Sequence, residues 1–269
     1  MQYDPIKRTL GTLFNKTPFT RKIFYKLLDL LLLRTWHVKK ELRIFRKNSA
    51  GNPNVLDAGA GYGQYTFFMS GLSPAWNIKA VDVKQEQIDD CNRFFAKINR
   101  NNRVVFEMVD LVEFIEEEKY SLILSVDVME HILDDENVFR NFYKSLKPGG
   151  MLLISTPSDK GGSDVFHYHS SSFIEEHVRD GYSVNEIKMK LEKAGFTNIN
   201  SNYTYGKPGQ LSWKLSMKYP ILLLNLSKTF FIILPFYYLF TFPFSLLLNF
   251  LDVKIKHKTG TGLVVKAYK

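Results

Sequence analysis

A glycine-rich stretch early in the chain has the residue types and spacing of a ligand-binding loop. From residue 55 to residue 63 it reads Val-Leu-Asp-Ala-Gly-Ala-Gly-Tyr-Gly, so a short apolar strand ends in Asp57 and continues into Gly59, Gly61 and Gly63. Glycine has no Cβ and therefore lets a ligand approach the backbone closely. The dinucleotide fingerprint G-x-G-x-x-G needs a glycine where this chain has Gln64, and the Gly-Lys-Ser/Thr of a P-loop is missing. The stretch therefore predicts a loop for another kind of small ligand.

The D-x-G-x-G-x-G form of this loop resembles motif I of the class I S-adenosylmethionine-dependent methyltransferases, and further matches follow in that family's order. Asp82 closes the second predicted strand, Asp110 with Leu111 follows the third, and Asp127 closes the fourth. The resemblance is to the quinone-biosynthesis O-methyltransferase, or methyltransferase type 11, group. It covers residues 50–204 and the last strand, and it implies an α/β fold with a Rossmann-like, doubly wound sheet of seven strands.

The same resemblance implies a role for each matching residue in binding S-adenosylmethionine. The first acid and the glycine loop surround the methionine part, the second acid holds the ribose hydroxyls, and the third acid with the leucine after it reads the adenine. An acid that accepts two hydroxyl hydrogen bonds explains the residue type at the ribose. The expected cofactor-binding residues are Asp57, Gly59, Gly61, Gly63, Asp82, Asp110, Leu111 and Asp127.

Histidines near the expected pocket are the candidates for proton removal from an acceptor. Methyl transfer from a sulfonium depends mainly on alignment and desolvation, but a base assists when the acceptor is a phenol or alcohol. We expect His131 to be the catalytic residue, with His167 and His169 as further candidates. The run from Asp127 through Glu130 to His131 is also similar to the Glu-x-x-Glu-His signature that ligates a divalent metal in some relatives. We expect no metal here, and the metal-ligand role stays an alternative.

Strand-like and helix-like segments alternate along the middle of the chain, which predicts a parallel sheet. Residues 17–47 predict one helix, and Ser183 with Glu186 predicts a capping box at the start of another. The predicted strands span residues 54–57, 77–82, 104–109, 121–126, 151–155, 197–204 and 261–268. The predicted organisation is a helical lead-in at 1–48, a cofactor-binding core at 49–207, a hydrophobic insertion at 208–258 and a closing strand at 259–269.

The insertion is the unusual part of the sequence. Residues 229–251 carry no charge and include seven phenylalanines. Pro235 and Pro243 interrupt this run, and the chain must return to a strand of the sheet, so broken helices are expected to lie in the membrane interface or to dip in and return. Lys254, Lys256 and Lys258 would then rest on anionic headgroups. The alternative is a helical lid packed on the core or on a second subunit.

Composition and charge limit the class of protein. The chain has 269 residues, 45% hydrophobic residues, one cysteine and a formal net charge of +9. One cysteine excludes an internal disulfide, and residues 1–16 have no apolar run typical of a secretory signal, so we expect a location in the cytoplasm. There the protein would be peripheral or monotopic on the cytoplasmic face of a membrane. The oligomeric state stays open.

The function expected from these features is methylation of a lipophilic acceptor at the membrane surface by a S-adenosylmethionine-dependent enzyme. The expected reaction is O-methylation of a quinone precursor, a phenol or a lipid-linked molecule. One alternative is RNA 2′-O-methylation, which the positive charge favours and the aromatic run does not. The other is a membrane-bound scaffold without catalysis, which the intact glycines and aspartates disfavour.

Overall fold

Seven strands form one mixed sheet in the computed structural model, which describes residues 17–49, 51–161 and 178–269. The order across the sheet is β3-β2-β1-β4-β5-β7-β6, and β7 runs antiparallel to both of its neighbours. The parallel arrangement that the alternation predicts is therefore confirmed for β1 to β6, and the closing strand β7, for which the sequence analysis predicted no direction, is antiparallel. The chain leaves β6, passes through the insertion and returns to pair directly with β6, and such a return connection makes neighbouring strands antiparallel. The strands are β1 (Asn54–Ala58), β2 (Asn77–Asp82), β3 (Val104–Met108), β4 (Tyr120–Val126), β5 (Leu146–Pro157), β6 (Thr197–Thr204) and β7 (Gly262–Tyr268).

Helices cover both faces of this sheet. Alternate residues of the central strands enter different apolar clusters, with Leu56 on one face and Val55 on the other, as the two-residue repeat of a strand requires. Ser183 accepts a hydrogen bond from the amide of Glu186, which is one of the two bonds of the expected capping box. The helices before the insertion are α1 (Pro18–Leu31), α2 (Leu33–Asn48), α3 (Gln64–Leu72), α4 (Gln85–Lys97), α5 (Asp135–Ser145) and α6 (Val184–Lys193).

The lead-in is two helices and not the single helix that the sequence predicts. Leu32 between α1 and α2 has an extended backbone, with φ −94° and ψ 107°. This corner lets α1 pack on the glycine loop through Arg21 while α2 reaches the insertion through His37. One straight helix could not make both contacts, because the two partners lie at different parts of the core.

The insertion folds as a helical hairpin. Its first arm rises from Gly206, its tip contains a short 3-10 turn, and its second arm returns to the sheet. The side-chain hydroxyl of Ser212 donates to the carbonyl of Ser245 (3.0 Å), and that of Tyr237 donates to the carbonyl of Leu215 (2.7 Å). The arms are α7 (Lys207–Trp213), a π turn (Lys214–Lys218) and α8 (Tyr219–Leu226), then the 3-10 turn (Lys228–Ile232) and α9 (Leu234–Lys254).

The two prolines do not break the second arm as the sequence led us to expect. Pro235 lies in the first turn of α9, where a missing amide hydrogen costs no helical bond, and Pro243 lies inside the helix without ending it. Packing of α9 against the first arm offsets the single hydrogen bond that Pro243 removes. Within the described residues, α9 is the one helix long and apolar enough to cross a membrane, and 11% of its most apolar stretch is buried.

Candidate functional site

The glycine loop lies between β1 and α3 and is tied to the end of β2. Gly59, Gly61 and Gly63 all have positive φ angles, of 81°, 52° and 75°. The amide of Gly59 donates to the carbonyl of Val81, and the amide of Gly61 donates to Oδ2 of Asp82, both at 2.9 Å. Left-handed backbone conformations favour glycine strongly, so the loop geometry explains all three residues.

The three glycines differ in how much free space an added Cβ would have, and this difference indicates which part of the loop a ligand can approach. A Cβ on Gly59 would lie 2.2 Å from Val128, and one on Gly63 would lie 3.0 Å from Phe106. A Cβ on Gly61 would have nothing nearer than Gln87, at 3.9 Å. Gly59 and Gly63 are therefore needed for packing of the protein itself, whereas Gly61 faces open space that a bound cofactor can occupy.

Two carboxyl groups flank this space. Asp57 is buried at the end of β1 and accepts a 2.5 Å hydrogen bond from the hydroxyl of Thr66. Burial is the main cause that raises the pKa of Asp57 to about 7; the hydrogen bond from Thr66 opposes this rise, and the nearby charge of Asp82 adds to it. Asp82 is half-buried at the end of β2, where its second oxygen accepts from the amide of Lys84 (3.1 Å). The two acids are thus held at neighbouring strand ends.

The remaining residues assigned to the cofactor lie at the next strand ends. Asp110 is exposed after β3, and its Oδ1 accepts from the amide of Val112 (2.9 Å), while Leu111 is buried. Asp127 follows β4 and has φ 51°, a left-handed conformation that is uncommon for a residue with a side chain. All the residues that the resemblance assigned therefore lie along the carboxyl edge of β1 to β4, which is where open α/β sheets bind ligands.

An arginine from the lead-in reaches the β4 end of the site, which the sequence analysis missed. The guanidinium of Arg34 on α2 forms an ion pair with Asp127. The amide of Arg34 also donates to the hydroxyl of Tyr205 (3.1 Å), just beyond β6. Burial raises the pKa of Tyr205, so its side chain stays a neutral hydroxyl. The one sequence feature that could have pointed to Arg34 is its position as a single cation directly after the leucine run at residues 30–33.

Glu130 and His131 occupy the 3-10 turn that follows β4. Glu130 is buried and accepts a hydrogen bond from the hydroxyl of Thr156 (3.0 Å). Burial, and then the charge of Asp127, raises the pKa of Glu130 to about 8. His131, the next residue, is exposed. The turn therefore presents one buried acid and one accessible imidazole beside Asp127.

The metal alternative has no support from this geometry. Within 17–49, 51–161 and 178–269 no group of three histidine, cysteine, aspartate or glutamate side chains could hold a metal ion. The run Asp127, Glu130 and His131 is included in those ranges. His167 and His169 lie outside the described residues.

Helix α1 packs directly against the glycine loop. The guanidinium of Arg21 and the hydroxyl of Tyr25 both donate to the carbonyl of Tyr62, in the middle of the loop. Arg21 also pairs with Asp90 on α4 (2.6 Å) and donates to the sulfur of Cys91 (3.0 Å). Both side chains are buried, so the lead-in is part of the site and not a separate appendage.

Comparison with protein families agrees with this site. The family model described as a methyltransferase domain matches residues 19–201, a range that includes α1, the glycine loop and the β4 turn. The chain belongs to this family. Its fold is that of the class I S-adenosylmethionine-dependent methyltransferases, and S-adenosylmethionine is the cofactor of this class. The open space at Gly61 and the acids at the strand ends are compatible with that cofactor.

Relatives of known name methylate different acceptors. Phosphoethanolamine N-methyltransferase 1 of Triticum aestivum is 31% identical over 54% of this chain, and the match spans 28% of that protein. Malonyl-[acyl-carrier protein] O-methyltransferase 2 of Ilyobacter polytropus is 28% identical over 62% of this chain and 66% of its own length. A ubiquinone biosynthesis O-methyltransferase of Rickettsia akari is 28% identical over 38% of this chain. The chain thus matches less than a third of the plant relative, and the acceptor is not carried over from it.

Solved structures share the fold. Phosphoethanolamine N-methyltransferase 2 of Haemonchus contortus, in complex with S-adenosylmethionine, aligns with a TM-score of 0.57 and 19% identity over 86% of this chain and 52% of that one. A possible histamine N-methyltransferase of Thermotoga maritima aligns with a TM-score of 0.55 and 15% identity over 96% and 99% of the two chains. At these identities the likeness concerns the fold alone.

The two ends of the site suit different tasks: the β1–β2 end suits binding of the cofactor, and the β4 end suits proton transfer from an acceptor. S-adenosylmethionine supplies an activated methyl group on a sulfonium. Asp82 offers a carboxylate for hydroxyl groups, and Gly61 lets the backbone approach. At the β4 end, Arg34 holds Asp127 in place, and His131 is the accessible group that could accept a proton from an acceptor hydroxyl.

Replacing Gly61 with valine is expected to weaken binding of S-adenosylmethionine about 5- to 150-fold, because the side chain would enter the cofactor's space at a cost of about 1–3 kcal/mol. Asp82→Ala removes a charged hydrogen-bond acceptor and should cost about 1.5–3 kcal/mol. Titration calorimetry measures both changes. Asp82→Asn, which keeps one acceptor oxygen, is the matched control and should lose less. Wild-type affinity in both Gly61→Val and Asp82→Ala would show that the site is elsewhere.

Binding of S-adenosylmethionine near pH 7 is expected to release protons. The raised pKa values of Asp57 and Glu130, about 7 and about 8, leave both partly protonated in the free protein. A bound cation favours the ionised carboxylate and lowers its pKa, so affinity should rise as the pH increases from about 6 to about 8. Calorimetry in buffers of different ionisation enthalpy measures the released protons. Asp57→Asn should release fewer, and zero release by the wild type would contradict the expectation.

Proposed function

We propose that this chain is a methyltransferase that works at a membrane surface on a lipophilic acceptor, by O-methylation of a quinone precursor, a phenol or a lipid-linked molecule. The proposed location is the cytoplasmic face of the membrane. The acceptor would enter at the β4 end of the site, where His131 is accessible and Arg34 holds Asp127. The ubiquinone biosynthesis O-methyltransferase among the relatives supports an acceptor of this class.

The observation that carries the proposal is the exposed apolar surface of the hairpin. One face of α9 presents large apolar side chains to solvent along its whole length, and Phe240, in the middle, is 70% exposed. The tip adds Leu226, which is 78% exposed. Exposure of so much apolar surface to water is unfavourable in free energy, and burial of that surface in a bilayer interface would be favourable. The exposed apolar residues of the tip and of α9 are Leu226, Phe231, Ile232, Ile233, Phe236, Leu239, Phe240, Phe244, Leu247, Phe250 and Leu251.

The base of the hairpin is fastened next to the acceptor end of the site. Asp252 is fully buried and accepts from the amides of Gly209 (3.0 Å) and Tyr205 (3.2 Å). Its carboxylate also contacts His37 of α2 (2.8 Å) and His257 (3.1 Å). Although burial opposes ionisation, the hydrogen bond from His37 and the neighbouring His257 keep the pKa of Asp252 below its ordinary value. A membrane-bound hairpin would therefore hold the site close to the bilayer.

The hairpin base is linked to the site through Tyr205 and Arg34. Tyr205, which donates its amide to Asp252, accepts a hydrogen bond from Arg34, and Arg34 pairs with Asp127. The hairpin base, α2 and the β4 turn are thus joined by three consecutive polar contacts. A lipophilic acceptor that stays partly in the bilayer would have a short path to His131.

A second candidate is N-methylation of an amine. The plant relatives named phosphoethanolamine N-methyltransferase support it, and the carboxyl groups of Asp127 and Glu130 would suit a cationic or amine-bearing acceptor. RNA 2′-O-methylation and a non-catalytic scaffold remain as the alternatives raised by the sequence. Neither explains the exposed apolar hairpin together with an open cofactor site.

Transfer of a labelled methyl group from S-adenosylmethionine to different acceptors distinguishes these functions. The purified protein is incubated with the labelled cofactor and, in separate reactions, a total lipid extract, phosphoethanolamine and total RNA. Label in an apolar lipid, recovered as a methyl ether, supports the proposal. Label in phosphoethanolamine or on an amine supports the second candidate, and label in RNA or no transfer at all would contradict the proposal.

A further inference from the structure

The outer face of α1 has the pattern of a helix that lies on a membrane surface. Phe19, Ile23, Leu27 and Leu30 are exposed, and Phe19 is 71% exposed. At 100° per residue these four side chains fall within one narrow arc of the helix, and we call them the lid stripe. Among the residues that the structure describes, α1 packs on the core through the opposite face, which contains the buried Arg21 and Tyr25.

The charges around the lid stripe are positive. Lys22 and Lys26 are exposed at its side. Asp29, the acid of α1, lies on the same side of the helix, where its charge is paired with Lys39 and it accepts a hydrogen bond from Gln64. Apolar residues flanked by lysines are the composition of helices that lie in the interface of anionic membranes.

The neighbouring helix α4 adds two more cations near the first turn of α1. A surface cavity of about 260 Å³ there is lined by the paired Arg21 and Asp90, with Asp90 also 3.7 Å from Arg93, and by Arg93 and Lys97 of α4. Both side chains are exposed. In a symmetric dimer built on the stripe, the same lysines would meet across the two-fold axis and repel one another, so an anionic bilayer fits this surface better than a second copy.

The inner face of the same helix seals the cofactor loop. Arg21 and Tyr25 bind the carbonyl of Tyr62, between Gly61 and Gly63, as described above. α1 joins α2 through the extended corner at Leu32 and through the ion pair between Asp29 and Lys39, and its inner face is held by the bonds of Arg21 and Tyr25. One face of α1 thus contacts the cofactor loop, and the other faces solvent with the composition of a membrane-binding helix.

We propose that the lid stripe binds an anionic membrane surface and that this contact holds α1 closed on the glycine loop. Membrane binding and S-adenosylmethionine binding would then strengthen each other. The inference rests on the proposed membrane function and adds to it a regulation of the cofactor site. Because coupling between two binding events is reciprocal, vesicles and cofactor must each raise the affinity for the other by the same factor.

The test measures the dissociation constant of S-adenosylmethionine by calorimetry, using the full chain alone, with phosphatidylcholine vesicles, and with vesicles of equal parts phosphatidylcholine and phosphatidylglycerol. Anionic vesicles should tighten binding at least about fivefold, the lower end of the usual range for coupled sites. Phosphatidylcholine alone should have a much smaller effect. Flotation of the same vesicles with and without the cofactor should give a matching factor.

Variants identify the surface responsible. Ile23→Glu combined with Leu27→Glu should leave cofactor affinity unchanged without vesicles and should abolish the tightening by anionic vesicles. Met189→Glu is the matched control, because Met189 is 63% exposed on α6, and it should behave as the wild type. Light scattering of each protein reports its mass.

The outcomes are distinguishable. If the wild type floats with vesicles but its cofactor affinity does not change, the lid inference is wrong and the membrane function stands. If the wild type does not float, both are wrong. Tightening that survives the double substitution, or a mass that falls on substitution because a second copy occupies the stripe, also overturns the inference.

Discussion

Four serine substitutions at the tip of the hairpin are expected to release the protein from membranes. The residues are exposed, so their replacement leaves the contacts between the two arms intact. Burial of one such side chain contributes about 1.5–3 kcal/mol, and the combined loss should lower the vesicle partition coefficient at least about 100-fold. Vesicle flotation measures the change. The substitutions are Leu226→Ser, Phe231→Ser, Ile232→Ser and Phe236→Ser.

The control carries serine at exposed apolar positions outside the hairpin. Met108 at the end of β3 and Met189 on α6 are both exposed, and their replacement should not change flotation. High salt should also fail to strip the wild type, since apolar burial is insensitive to screening. The tip variant should bind S-adenosylmethionine as the wild type does in the absence of vesicles. Full retention of the tip variant on vesicles would show that the hairpin is a lid or a protein contact and not a membrane element.

Replacing His131 with alanine is expected to lower turnover on the true acceptor by about 10²- to 10⁴-fold, the usual contribution of a general acid or base. His131 is exposed on the turn after β4 and lies beyond the residues assigned to adenine and ribose. Its loss should therefore change transfer much more than it changes the dissociation constant of the cofactor. Turnover is measured with the acceptor identified by labelling, and affinity is measured by calorimetry on the same samples.

Chelation separates the two roles of His131. A metal bound through Asp127, Glu130 and His131 would be lost to EDTA, whereas an imidazole base would not be affected. The geometry favours the base, because Asp127 is paired with Arg34 and Glu130 with Thr156. We expect the wild type to keep its activity in EDTA. If turnover survives both the substitution and EDTA, His131 is structural and catalysis depends on alignment alone.

The sequence by itself determined the elements whose causes are local. β2 and β6 have the bounds that the sequence predicted. β2 contains a short apolar stretch, and β6 alternates Ile199 and Tyr203 with asparagines, and both patterns favour a strand. The glycine loop was predicted because positive φ angles and close approach of a ligand require glycine at fixed positions. The acids were assigned by the resemblance to the methyltransferase family, and the alternation of strands and helices predicted that they would lie along one edge of the sheet.

Contacts between distant parts of the chain were decided only by the tertiary structure. The corner at Leu32 divides the lead-in, Pro243 stays inside a helix, and β7 enters the sheet antiparallel. In each case packing against another element outweighs a local preference of one or a few kcal/mol.

The same holds for the polar contacts that complete the site. Arg34 meets Asp127 across 93 positions of the chain, and His37 meets Asp252 across 215. Asp252 could have been singled out as the one acid after Glu192. Its partners could not, because a buried carboxylate takes whichever donors the fold brings within hydrogen-bond distance, and that distance is set by how helices and sheet pack.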